Sequence, residues 1–343
     1  MENVKDFLTR KDIVITPQRY LIDALGAMAQ GLFASLLIGT ILNTLGQQLG
    51  VAMLVTIGDY ASAMSGPAMA CAIGYALHAP NFVLFSLVTV GWASNSLGGA
   101  GGPLAVLLIA IVAAELGKAV SKETKVDLLV TPLVTIFSGV GLALLIAAPI
   151  GAAASRVGAL IMWATEQSPF VMGMLVSVIV GVALTLPISS AAICAALGLT
   201  GLAGGAAVAG CCAQMVGFAV MSYKENGVGG LVSQGLGTSM LQMGNIVRNP
   251  RIWIPPTLAS MVTGPVSTMI FHLENIPAGS GMGTCGLVGP IGIYTAMQES
   301  GSPLMWPGIL LVCFLLPAVL TPFFGMLCRR AGWIHDGDMK LDL

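Results

Sequence analysis

The sequence has 343 residues, of which 56% are hydrophobic and only 8% charged, and its mean hydropathy is +0.91. A soluble domain carries about 25% charged residues, so most of this surface meets something other than water, and the expected fold class is an all-α polytopic membrane protein. A net charge of −1 leaves no basic footprint for nucleic acid, and the long apolar runs do not fit the short alternating segments of an outer-membrane barrel.

Residues 1–19 are polar and carry Lys5, Arg10, Lys11 and Arg19. They read as a cytoplasmic N-terminal segment, partly an amphipathic helix. No cleavable signal peptide is expected, because the first apolar run (Tyr20–Leu45) begins late and no short h-region with a small-residue cleavage site precedes it. A second run, Val51–Leu77, is broken at Ser65–Pro67, and a third covers Phe82–Ala93. Ala93–Pro103 reads as a polar, glycine-rich break. A fourth run, Leu104–Leu116, ends at Lys118–Lys125, whose lysines mark a cytoplasmic loop under the positive-inside rule.

A fifth run covers Leu128–Ile150, and 151–168 reads as a weaker, interfacial amphipathic stretch. After a sixth run (Pro169–Leu186), the small-residue stretch Pro187–Gly201 resembles a re-entrant element. A seventh run (Leu202–Met221) leads into Ser222–Pro250, rich in Gly, Gln and Ser. An eighth run, Ile252–Ile270, is followed by the stretch Phe271–Gly292, FHLENIPAGSGMGTCGLVGPIG, and a last run covers Leu304–Leu327. The expectation is roughly eight to ten crossings with re-entrant hairpins. The expected domain organisation is a cytoplasmic segment 1–19, one transmembrane domain 20–328 and a short polar tail 329–343. Ser94–Ile109 and Gly279–Tyr294 rhyme loosely; internal duplication and shared low-complexity composition both account for it.

Ionisable or polar groups at membrane depth are costly and mark pathways. Glu274 is the clearest case, flanked by His272 and Asn275 and followed by Ser280 and Thr284 in a glycine run. As a re-entrant hairpin this stretch would bind a polar solute, its glycines letting backbone approach closely; as an extramembrane loop Glu274 would simply be solvated. Gln234, Thr238, Gln242 and Asn245 form a second set of uncharged donors and acceptors, the first three sharing one face if the segment is helical; an amphipathic surface helix is the alternative. Asn95 in its glycine-rich break and the hydroxyls Ser189 and Ser190 complete the substrate-binding candidates. Asp59 and Glu274 are the carboxylates to test for proton coupling, whereas Glu115 and Lys118 at i,i+3 read as a structural pair. Arg248 and Arg251 read as headgroup anchors. The seven cysteines have no zinc-ligand spacing, and no phosphate-loop motif, metal site, cofactor or catalytic set is expected, so intrinsic enzymatic activity is not expected either.

Three stretches together, Lys125–Gly151, Gly235–Pro256 and Phe271–Gly292, resemble the membrane permease component (EIIC) of the bacterial phosphoenolpyruvate-dependent sugar phosphotransferase system, and most closely its short stand-alone branch that includes perfringolysin-regulator-like proteins. The resemblance covers nearly the whole chain. It implies a homodimer in the bacterial cytoplasmic (inner) membrane, surrounded by lipid, that moves a sugar-like solute by alternating access through re-entrant hairpins. Glu274 is the position matching the family's sugar-contacting Glu, although Asn275 stands where Pro usually follows. No fused phosphorylatable soluble module is expected, so the resemblance implies that phosphorylation falls to separate EIIA and EIIB subunits or is absent. The alternative is a solute-sensing regulator of the same fold with little transport.

Overall fold

The computed structural model describes residues 4–341, so positions 1–3 of the expected N-terminal segment and 342–343 of the expected tail lie outside the described residues. The protein is 83% helical, and its described residues contain no strand. In chain order the helices are α1 (Val4–Arg10), α2 (Gln18–Leu49), α3 (Ala52–Ala63), α4 (Ser65–Ala76), α5 (Asn81–Gly98), α6 (Gly102–Val120), α7 (Asp127–Thr165) and α8 (Pro169–Thr185). There follow α9 (Ser190–Ala196), α10 (Gly201–Met221), α11 (Tyr223–Val232), α12 (Met243–Arg248), α13 (Ile254–Pro265), α14 (Pro277–Ser280), α15 (Val288–Met297) and α16 (Met305–Arg330).

Among the described residues, five helical stretches are long and apolar enough to cross a membrane: α2, α5 with α6 (Asn81–Val120), α7, α10 and α16. The apolar helices Pro169–Thr185 and Cys285–Met297 are shorter. These runs form helices because no water competes for their backbone groups in lipid, so each N–H and C=O must find its partner within the segment.

Two expectations are corrected. The break expected at Ala93–Pro103 is confined to a tight turn at Gly99–Gly101, with α5 running on to Gly98. Ser94 stays helical by returning its hydroxyl to Val90 O at 2.7 Å, and Asn95 bonds across to Ser65 Oγ at 3.3 Å. The interfacial stretch expected at 151–168 is instead the continuation of α7, which runs unbroken for 39 residues. Ala152–Ala154 are strong helix formers, and the next proline after Pro149 is Pro169.

The chain forms two compact units. The first comprises the described part of 1–39 and Asp59–Ala153. Its helices α4 and α5 meet at Gly66 and Gly91, where a Cβ on either would overlap the other's carbonyl; such close approach is how lipid-embedded helices gain packing without a hydrophobic drive. The polar segment before α2 is tied down by buried charge. Lys118, 2% exposed, donates to the carbonyls of Asp12 (2.7 Å) and Leu77 (2.9 Å) and pairs with Glu115 at 3.0 Å. The structural Glu115–Lys118 pair expected from spacing thus forms. The Arg19 guanidinium grips both Asp12 oxygens, at 3.0 and 2.6 Å, a bidentate geometry that only a planar fork supplies. His78 Nδ1 lies 3.0 Å from the same carboxylate.

The second unit comprises Thr40–Gly58 and Ala154–Leu343. At its centre stands α10, almost wholly buried, packed by α8, α13 and α16. Gly173 of α8 and Gly264 of α13 touch so closely that a side chain on either would collide with the opposite backbone. Hydroxyls stitch the unit further: Ser177 Oγ of α8 donates to Ser260 O of α13 at 2.6 Å, and Ser267 Oγ, just after α13, to Gly205 O of α10 at 3.1 Å.

Candidate functional site

Two broken segments of the second unit converge. After α8, the chain turns at Pro187–Ser189; Ser189 caps α9 by accepting from Ala192 N at 3.2 Å, and after α9 the chain reaches Thr200, the cap of α10. After α13, a π-helical turn (Val266–Phe271) ends at His272, which adopts the left-handed conformation (φ 47°). From there the chain runs extended to α14, and another left-handed residue, Leu287, starts α15. Both stretches read from sequence as re-entrant are therefore short helices between non-helical turns.

Backbone joins them. Gly201 N donates to Asn275 O (3.1 Å), and Asn275 N donates back to Gly201 O (3.2 Å), forming an isolated antiparallel bridge. Thr200 Oγ1 also donates to Asn275 O at 3.1 Å. Ser280 Oγ donates to Leu199 O (2.8 Å) and Ser190 Oγ to Gly281 O (2.7 Å). Asn275 is fully buried in a cage of glycines: a Cβ at Gly279 or Gly292 would overlap its Oδ1. Its Nδ2 donates to Gly289 O at 3.3 Å, and Oδ1 accepts from Ile276 N at 2.8 Å. The residues around the bridge thus divide. Asn275, Ser190 and Ser280 spend their polar atoms on the backbone of neighbouring residues in the two segments, whereas His272 and Glu274 are exposed beside them, with buried Leu273 between. Alternation along the extended backbone after His272 turns Glu274 away from Leu273 and Asn275, since successive side chains point to opposite faces.

The second candidate set is corrected. Gln234, Thr238 and Gln242 do not share a helical face: a π turn (Ser233–Gly237) stops at Thr238, which is extended (φ −158°, ψ 145°), and a 3-10 turn (Ser239–Gln242) follows. Gly235 and Gly237 weaken the helix, and Thr238 Oγ1 takes over the N–H of Met240 at 3.1 Å. Gln242 Nε2 nevertheless reaches Gln234 Oε1 at 2.9 Å, and Gln242 Oε1 accepts from Asn245 Nδ2 at 2.8 Å. All four residues are buried. Thr284 links the two sets, its hydroxyl donating to Gly235 O. Asn95 belongs to the first unit, where its partner is Ser65. Arg248 Nη1 lies 3.4 Å from Asn245 Oδ1, and the Arg251 guanidinium stands 6.0 Å from the Trp333 ring.

Sequence reasoning missed a third polar cluster. Gln214, fully buried on α10, accepts at Oε1 from Trp253 Nε1 (2.9 Å) and Thr185 Oγ1 (3.4 Å), and Thr185 lies 2.7 Å from Ser239 Oγ. The signal was there: Gln214 is the one amide in the apolar run Leu202–Met221, and an uncharged polar group at membrane depth demands a partner as a charge does. Leu287, which starts α15, Pro290 and Tyr294 on α15, and Trp306 on α16 line a groove of about 360 Å³. Its walls are almost wholly apolar, which suits an acyl chain rather than a hydroxylated solute.

The family profile described as "Phosphotransferase system, EIIC" matches residues 22–341. The chain belongs to this family. Comparison with curated proteins and with solved structures returned no match. This EIIC chain is therefore a multi-pass, all-α membrane permease of the phosphotransferase type, as the sequence resemblance implied. The match includes both converging hairpins, the amide cluster and α16, so the site residues of both sets lie within the EIIC region.

Proposed function

We propose that this EIIC chain carries a small hydroxylated solute, a sugar or sugar derivative, across the bacterial cytoplasmic membrane by alternating access, and that the solute is held by Glu274 and His272. The observation that carries this reading is the placement of Glu274. Its carboxylate is exposed on a turn whose floor, Leu273 and Asn275, is buried and bridged to Gly201. A rigid floor beneath an outward carboxylate suits sugar recognition, because paired hydroxyls match the two oxygens of a carboxylate and a preorganised site loses less entropy on binding. Asn275, Ser189, Ser190, Ser280 and Thr284 serve the site as its frame, and Gln234, Thr238, Gln242 and Asn245 frame the segments around it, whereas Asn95 serves α5 in the first unit.

The phosphoryl group comes from separate EIIA and EIIB subunits, and the working unit is a homodimer with its N-terminal segment in the cytoplasm. The test is uptake of labelled sugars into liposomes holding the purified chain, with phosphorylated EIIA and EIIB supplied. Wild-type protein should take up a sugar that raises its melting temperature, and Glu274→Gln should abolish uptake while leaving the melting temperature of the sugar-free protein unchanged. Uptake by Glu274→Gln at the wild-type rate would overturn the site; binding without flux in the wild-type chain would overturn the transport reading.

A further inference from the structure

The segment after α16 is held as a bound peptide is held. Ile334 and Met339, 2% and 0% exposed, insert into a cluster with Phe218, Met221, Ile246 and Ile252. Between and beyond these anchors the segment forms no sheet ladder; its backbone is read by side chains instead. Met339 O accepts from Asn226 Nδ2 (2.8 Å) and Gln242 Nε2 (3.0 Å), and Lys340 O accepts from Asn245 Nδ2 (2.9 Å). Met339 N donates to Glu225 Oε2 and Leu341 N to Asn226 Oδ1, both at 2.8 Å. Arg329 pairs with Glu225 at 3.2 Å and with Asp336 at 2.6 Å.

The attachment is hinged on both sides. Gly332 (φ 70°) and Gly337 (φ 95°) lie in the segment itself, and Gly227 (φ 59°) kinks α11 beneath it. An added Cβ at any of the three meets nothing within 4 Å, so these glycines serve backbone geometry rather than close packing. On the receiving side, the segment bonds Gln242, the last residue of the 3-10 turn that follows the π turn and extended Thr238 between α11 and α12. Side-chain amides whose partners lie in another segment exchange those partners for water more easily than a helix exchanges its internal ladder, and such elements form the low-stability end of a fold.

We infer that Trp333–Leu341 is a releasable strap. Docked, it fixes Gln234–Arg248 in the conformation described; released, it frees the amides of Asn226, Gln242 and Asn245 and lets that segment rearrange about Gly227, Gly235 and Gly237. The inference does not depend on the identity of the solute or on Glu274.

The test uses the full chain in lipid nanodiscs and two readouts. In the first, Met339→Cys is labelled with a water-soluble maleimide, with the cysteine-unchanged parent as the background. Labelling should be slow and should accelerate at least tenfold when Asn226→Ala and Gln242→Ala are added. In the second, hydrogen exchange of the wild-type chain should release the amides of Met339 and Leu341 together with those of 234–248, at least tenfold faster than those of α10. Labelling that the two alanines leave unchanged would overturn the strap. So would exchange of Met339 and Leu341 in step with α10, because the segment would then be a fixed part of the core. If Met339→Cys itself undocks the segment, the exchange pattern of the wild-type chain decides alone.

Discussion

Glu274 and Asn275 are adjacent carbonyl-bearing side chains with opposite environments, and their variants should part accordingly. Asn275 is caged by Gly279 and Gly292, and its Nδ2 serves Gly289 O. Asn275→Ala leaves that buried carbonyl without its donor, a loss of about 1–3 kcal/mol, so thermal unfolding should occur at a lower temperature. Gly292→Ala drives a methyl into Asn275 Oδ1 and should cost about 1–3 kcal/mol by overpacking. Glu274→Gln removes no buried contact and should leave the transition where it was. Composition drew attention to these residues but could not divide them. The division follows from which side of a short extended stretch looks inward, and that is set by the isolated bridge to Gly201, 74 positions earlier in the chain, to which no local pattern points.

Among the elements, the apolar runs were legible because lipid enforces them. The runs expected at Leu202–Met221 and Leu304–Leu327 correspond to α10 and α16 within a few residues. Breaks were harder to read. Ser94 and Asn95 looked like loop residues, yet each finds a partner inside the helical bundle, so polarity alone does not end a helix. In Gln234–Gln242 the reverse holds: a helical pattern is interrupted because Thr238 offers its own hydroxyl to the backbone. Thr238→Ala removes that competitor; the isolated peptide 231–249 should become more helical by circular dichroism in a membrane-mimetic solvent. At the α8–α13 contact, Gly264→Leu should separate the helices and lower the yield of folded, monodisperse protein in size-exclusion chromatography, whereas Ser177→Ala, losing one hydroxyl bond, should cost only about 0.6 kcal/mol.

At the scale of the molecule, the charges that a membrane protein can hold are concentrated where the segment before α2 meets its unit. The Arg19 guanidinium holds the Asp12 carboxyl well below the ordinary carboxylate range, with His78 contributing further. A carboxyl whose folded value is depressed stabilises the fold fully above its unfolded value, near ~3.9, and that contribution fades as pH falls through the lower folded value. Hydrogen exchange in residues 4–17 should therefore quicken as pH drops below about 4 by more than the intrinsic chemistry predicts, and Asp12→Asn should flatten the excess. Glu123 is depressed in the same direction, by Lys11 first and Arg10 second, so it works in the same window. Family membership was legible as phrases distributed over the chain, and the profile match over 22–341 bears out the resemblance at the level of the EIIC family. The gathering of buried amides beneath the segment after α16 was not legible, because its partners come from residues about a hundred positions apart.

One contact beside the candidate site has a chemical corollary. The N–H of Glu274 is held not by an oxygen but by the thioether of Met297, at 3.4 Å. A thioether is a weak acceptor, whereas a sulfoxide presents a strongly polar oxygen. Oxidative damage at this methionine would therefore set a polar oxygen inside the apolar cluster that buries Met297, against the turn that presents the carboxylate, and methionine sulfoxide reductase would restore the thioether.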